Sequence, residues 1–184
     1  MIVNRQRRIP VDLEPLAEFC RRVREELHFP EDGVTVRLLS DPAIARLNRI
    51  FRGKDGPTDV LSFPSAARPA YTAARKVRAT ARPAHTAARR VQTTARNGSA
   101  RGANGARNLL RRDAAISRAY VGDIAISLDT ARRNARRASR RFPQELRILI
   151  LHGMIHLAGY DHENDQGQME RLERRLRRRF GLHD

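Results

Sequence analysis

The chain reads as an α+β domain in which a small mixed sheet packs against about five helices. Three observations lead there. Short runs rich in Val, Ile and Leu alternate with longer segments whose apolar residues recur every three or four positions. One helix-length stretch, 146–157, is apolar nearly throughout, as a central helix must be. Residues 66–118 follow neither pattern, so they interrupt a single domain spanning 1–184 and do not build a second one.

The elements follow in order. Ile2 and Val3 begin a short strand. Residues 10–27 read as a helix, with Leu13, Leu16, Ala17, Cys20, Val23 and Leu27 at helical spacing. Residues 33–39, rich in Val and Leu, form the next strand. Asp41 reads as an N-cap with Pro42 at the first helical position, and this helix reaches about Phe51 with Ile44, Leu47 and Phe51 on its apolar face. Residues 58–63 and 121–127 are strands; the second alternates Val121, Asp123 and Ala125 with Gly122, Ile124 and Ile126. Residues 128–141 form a basic helix, Pro143 opens the apolar one, and 164–180 make a last helix with Met169, Leu172, Leu176 and Phe180 facing inward.

At 184 residues the chain is one domain's worth. It has no run of eighteen apolar residues, so no membrane partner is expected, and Met1 to Arg5 lacks the apolar core of a signal peptide. Its single cysteine, Cys20, excludes an internal disulfide and suits a reducing cytoplasm; its place on an amphipathic helix predicts a buried structural thiol. A net charge of +17 points to a polyanion, nucleic acid first. That charge is uneven. Residues 66–118 hold thirteen Lys or Arg against one acid, Asp113, so the rest of the chain is only mildly basic. This basic, low-complexity insertion repeats with a fourteen-residue period: Arg68-Pro69-Ala70-Tyr71-Thr72-Ala73-Ala74-Arg75 returns as Arg82-Pro83-Ala84-His85-Thr86-Ala87-Ala88-Arg89. It offers few large apolar groups to offset the entropy of ordering. An inert linker and an RNA-binding arm rich in phosphate-pairing Arg both fit it.

The chemistry-bearing run is His152-Gly153-Met154-Ile155-His156-Leu157-Ala158-Gly159-Tyr160-Asp161-His162. His152 and His156 lie four apart, on one face of a helix. Gly159 is a natural terminator, after which the chain can turn and bring His162 to the same ion. Three imidazoles with a position left open to water is the catalytic zinc arrangement. Nitrogen donors favour one Zn²⁺ per chain over magnesium, while nickel and copper fit the same set. The run is similar to the metalloprotease pattern His-Glu-x-x-His-x-x-Gly-x-x-His, but Gly153 stands where the catalytic Glu belongs, which counts against a peptidase. Asp59 and Asp123 sit in apolar strands, where a carboxylate needs a partner. Orienting a ligand His through its second ring nitrogen and capping a strand start both remain open for them. Asp161, just before the third ligand, can order the turn.

The histidine run, together with the segment from Asn48-Arg49-Ile50-Phe51-Arg52-Gly53 through Pro57-Thr58-Asp59-Val60-Leu61-Ser62-Phe63-Pro64 and with Val121-Gly122-Asp123-Ile124-Ala125-Ile126-Ser127, resembles the YbeY family of bacterial metallo-endoribonucleases. The resemblance covers 1–65 and 119–180. It implies a single-strand-specific, zinc-dependent endoribonuclease of 16S rRNA 3′-end maturation and late ribosome quality control. The implied partners are single-stranded RNA, rRNA and ribosomal subunits, with a ribosome-assembly GTPase and small-subunit proteins. By the same resemblance Arg52 lies across the cleft from the zinc, where a guanidinium meets phosphate charge bidentately. Attack by a metal-activated water and attack by the ribose 2′-OH both fit these residues. The alternative is a non-catalytic, zinc-stabilised RNA- or ribosome-binding protein; a structural zinc would want a fourth protein ligand, and neither Cys20 nor His183 is a convincing one.

Overall fold

The computed structural model describes residues 1–65, 120–160 and 165–182; the 66–118 insertion, Asp161 and His162 lie outside them. Four strands and five helices occur among the described residues: β1 (Ile2–Asn4), α1 (Glu14–Glu26), β2 (Val34–Leu39), α2 (Asp41–Arg52), β3 (Val60–Pro64), β4 (Gly122–Ser127), α3 (Leu128–Arg137), α4 (Phe142–Leu157) and α5 (Gln168–Arg179).

The sheet order is β1-β2-β4-β3. β1 and β4 run parallel to β2, and β3 closes the edge antiparallel to β4, so the sheet is mixed as expected. Strand alternation sends β4 both ways. Ile124 and Ile126 enter the larger core with α1 and α4, whereas Ala125 enters a smaller one with Leu39, Ile44 and Leu61 beneath α2. Helices therefore cover both faces of the sheet. β3 and β4 pair from Val60↔Ile126 to Pro64↔Gly122, and the Ser65 N–H donates to the Val121 carbonyl at 2.9 Å just beyond. Ser65 and Val121, at or next to the facing ends of the described segments, thus lie side by side.

α4 is the centre of the core. Apolar residues surround its axis, and ten of its sixteen positions are buried between the sheet and the neighbouring helices. Pro143 stands in its first turn, as the sequence reading placed it.

Several boundaries differ from expectation for local reasons. The N-cap of α2 is Ser40, and the Asp41 carboxylate turns away to accept from the Ser127 hydroxyl, Thr130 Oγ1 (2.8 Å) and Arg133 Nη2 (2.7 Å), tying α2 to α3. The basic helix stops at Arg137, four residues early, because Ser139 takes a left-handed conformation (φ 53°) that turns the chain into α4. Cys20 is half-buried against the core, and burial pushes its thiol up to about 12, which leaves it inert as a thiolate ligand.

Candidate active site

The apolar run makes α4 a buried helix, and its last two turns carry the two histidines. Four residues apart on one face, the rings meet edge to face with centroids 4.7 Å apart, and the two Nε2 atoms are 3.1 Å apart. Each ring is held by its other nitrogen. His152 Nδ1 donates to Glu173 Oε2 at 3.1 Å, and His156 Nδ1 donates to the Tyr160 carbonyl at 3.1 Å. A backbone carbonyl only accepts, so His156 Nδ1 carries a proton, and in the neutral ring the lone pair sits on Nε2.

Glu173 reaches from α5 and is itself clamped by Arg177 Nη2. Burial alone would raise its pKa, but the His152 hydrogen bond and the charge and hydrogen bond of Arg177 outweigh that and hold it below the ordinary value. Ionised, it too can only accept, which sets the same tautomer on His152. Two Nε2 lone pairs therefore face one point, an arrangement that asks for a cation between them. Two imidazole nitrogens on a tetrahedral zinc would stand about 3.3 Å apart for ~2.0–2.1 Å bonds. The observed 3.1 Å fits the donor set. Among the described residues no group of three His, Cys, Asp or Glu could hold an ion, so a third protein ligand would have to come from outside them, where His162 lies.

Gly153, the position of the peptidase Glu, faces the sheet. A Cβ there would stand 2.9 Å from Ile124 Cγ2 and 3.1 Å from Cδ1, and the Gly153 carbonyl accepts from the Ser62 hydroxyl at 3.3 Å. The close seat of α4 on β3 and β4 leaves no room for a side chain at 153 unless Ile124 shifts. Gly159, with φ 94°, follows the last residue cap of α4 and turns the chain so that the Tyr160 carbonyl comes back onto His156.

Of the predicted carboxylates, Asp161 lies outside the described residues, and Asp59 and Asp123 do not touch His152 or His156. Asp59 Oδ1 accepts from the Val60 N–H (2.9 Å) and Thr58 Oγ1, and Oδ2 from Asn134 Nδ2, so it caps the start of β3. Asp123 pairs with Arg37 Nε at 3.0 Å across β4 and β2. The oxygens on the two His Nδ1 atoms belong instead to Glu173 and Tyr160. Glu173 had a sequence signal: it falls between Leu172 and Leu176 and four after Met169, a carboxylate on the inward stripe of the last helix. Arg52 ends α2, exposed and without a carboxylate partner among the described residues.

A family model described as endoribonuclease YbeY matches residues 1–181. Similar proteins of that name include one from Solibacter usitatus, 34% identical over 180 residues covering 96% of this chain and 86% of the relative. Another, from Koribacter versatilis, is 33% identical and covers 99% and 86%. A third, from Geobacter metallireducens, is 30% identical and covers 98% and 93%. In fold, the chain resembles a solution structure of a Thermotoga maritima protein, with a TM-score of 0.51 at 24% identity, covering 98% of this chain and 90% of that one.

Proposed function

The chain belongs to the endoribonuclease YbeY family, and from that premise we propose that it is a single-strand-specific, zinc-dependent endoribonuclease acting in 16S rRNA 3′-end maturation and late ribosome quality control. The observation that carries the metal reading is the pair of Nε2 atoms 3.1 Å apart, each ring anchored by its far nitrogen. His152, His156 and His162 would hold one Zn²⁺ per chain. When bound, zinc supplies a Lewis acid for a phosphate oxygen and lowers the pKa of a water toward about 7.

The rest falls to the chain. Glu173 and the Tyr160 carbonyl keep each imidazole in the tautomer and orientation that present Nε2. Gly153 lets α4 seat on β4 and so fixes the height of both rings. Arg52, exposed and unpaired among the described residues, is the group that would meet charge on the non-bridging phosphate oxygens. Gly153 leaves the position of the peptidase pattern's Glu without a base. The proposed setting is cytoplasmic, with rRNA in ribosomal subunits as substrate and a ribosome-assembly GTPase and small-subunit proteins as partners. No helix among the described residues is long and apolar enough to cross a membrane.

The test is cleavage of single-stranded RNA, single-stranded DNA and casein, with and without chelator, with metal content measured on the same sample. One zinc per chain and chelator-sensitive RNA cleavage are expected, with casein untouched. RNA cleavage by metal-free protein, undiminished by chelator, would overturn the zinc assignment.

A further inference from the structure

The described surface keeps its large apolar side chains covered with one local exception. Ile50 and Phe51 are 72% and 63% exposed, and apart from the terminal Met1 no other large hydrophobic is exposed among the described residues. They are consecutive residues at the C-terminal end of α2. Exposed apolar groups clustered in this way usually mark a contact surface.

Phe51 is also held in place. Its ring packs edge to face against Phe63 of β3, with centroids 5.0 Å apart and planes at 68°. Phe63 belongs to the small core beneath α2, so the exposed ring rests on a fixed support. The surroundings are cationic. Arg46, Arg49, Arg52 and Lys54 are all exposed on the same stretch of chain, and of these only Arg49 has an acid, Asp55 at 2.8 Å. Arg46, Arg52 and Lys54 have no carboxylate partner among the described residues.

A fixed aromatic face followed at once in the chain by two exposed cations, Arg52 and Lys54, matches one ligand chemistry well: an unpaired nucleobase with its phosphates. Every base has a π-face to stack, the flanking phosphates meet the cations, and a base inside a duplex has no free face to offer. A purely apolar protein partner would leave these two cations unanswered. We infer that Phe51, flanked by Ile50, is a stacking platform for one unpaired base of a single strand, with Arg52 and Lys54 meeting the adjacent phosphates. This rests on the endoribonuclease reading and deepens it, because it supplies a physical source for single-strand preference outside the metal centre.

The chain contains no tryptophan, so Phe51→Trp installs a unique reporter. The probe is a short oligoadenylate, alone and annealed to oligouridylate, added in stopped flow so that binding is read before turnover. The single strand should quench the indole saturably and the duplex should not. Phe51→Ala should weaken single-strand binding by about 5- to 150-fold, the range of one base–aromatic stack. The salt dependence should keep its slope, since no phosphate contact is removed. Phe51→Leu keeps apolar contact with Phe63 but has no aromatic face, and should lose affinity as Phe51→Ala does.

Wild-type affinity in Phe51→Leu, or binding seen by anisotropy with no quench in Phe51→Trp, would overturn the platform and leave the nuclease reading standing. Unchanged RNA binding in all three variants would do the same and point to a protein at this patch. A wild-type protein that neither binds nor cleaves RNA would instead overturn the functional reading itself.

Discussion

Placing a methyl group at Gly153 tests how α4 is seated. The Cβ of Gly153→Ala would stand 2.9 Å from Ile124 Cγ2, 3.1 Å from Cδ1 and 3.3 Å from Cγ1. Comfortable carbon–carbon contact begins at about 3.5 Å. Ile124 cannot yield cheaply. It is fully buried, β-branched and therefore stiff at χ1, and it sits on a strand paired to both β2 and β3. Overpacking of this kind costs about 1–3 kcal/mol, while Ala in place of Gly in a helix returns about 0.5–1 kcal/mol. The net expectation is a loss of up to about 2.5 kcal/mol, read as a lower urea midpoint at unchanged m-value. The double mutant isolates the cause. Ile124→Ala alone should cost about 2–5 kcal/mol through its cavity. On that background Gly153→Ala should become stabilising, because the clash is gone and the helix propensity remains. A stabilising Gly153→Ala in the wild-type background, or additive effects in the cycle, would refute the close seating of α4 and with it the explanation for the missing peptidase Glu.

The remaining expectations concern the site and its supports. Glu173→Gln should lower zinc affinity about 10- to 100-fold, measured by competition with a chromophoric chelator, at unchanged helix content; unaltered affinity would remove Glu173 from the site. Arg52→Glu should leave zinc content and stability intact and abolish RNA cleavage, and full turnover would show that Arg52 does not meet the phosphate. Asp41→Asn should cost about 1–2 kcal/mol at neutral pH, because Ser127, Thr130 and Arg133 all donate to the carboxylate and hold its pKa below 3.8 against the opposing effect of burial. The sign follows: the wild-type advantage is present above pH 3.8 and fades as pH falls through the lower folded value, so urea midpoints measured down a pH series should converge there. Replacing residues 66–119 by a short turn should leave a folded, zinc-binding protein. A shallower salt slope of RNA binding would then assign those residues to the substrate, and an unchanged one to a linker.

The elements most legible in the sequence were those whose pattern is local. The period of α1, the alternation of β4 and the all-apolar run of α4 each announce their burial without reference to the rest of the chain. The i, i+4 spacing of His152 and His156 likewise guarantees that the rings share a face. What needed the fold was every partnership across elements. Asp41 looks like a cap because it precedes Pro42, yet its carboxylate is claimed by α3, more than eighty residues later in the chain. Asp59 and Asp123 look like buried carboxylates in search of a histidine, but Asn134 and Arg37 reach them first. Glu173 does the orienting work from a helix whose distance from α4 no periodicity reports. Gly153 reads as the loss of a catalytic group in one dimension and as the contact point of helix on sheet in three.

β3 and β4 meet where Ser65 donates to Val121, so the stretch of some fifty residues between them begins and ends at a single hydrogen bond. Closing a loop of that length in place of a tight turn costs only about 2 kcal/mol in chain entropy. The paired ends act as a grommet set beside the end of α4: the Gly122 backbone lies against Leu157, next in the chain to His156. Tandem duplication can lengthen the cord, and arginine can load it with charge, while the strand pairing that anchors both ends stays the same. A lineage could therefore retune how strongly the protein clings to polyanions by editing this stretch alone, and an experimenter could thread a fluorophore, an affinity handle or a second domain through the same hole.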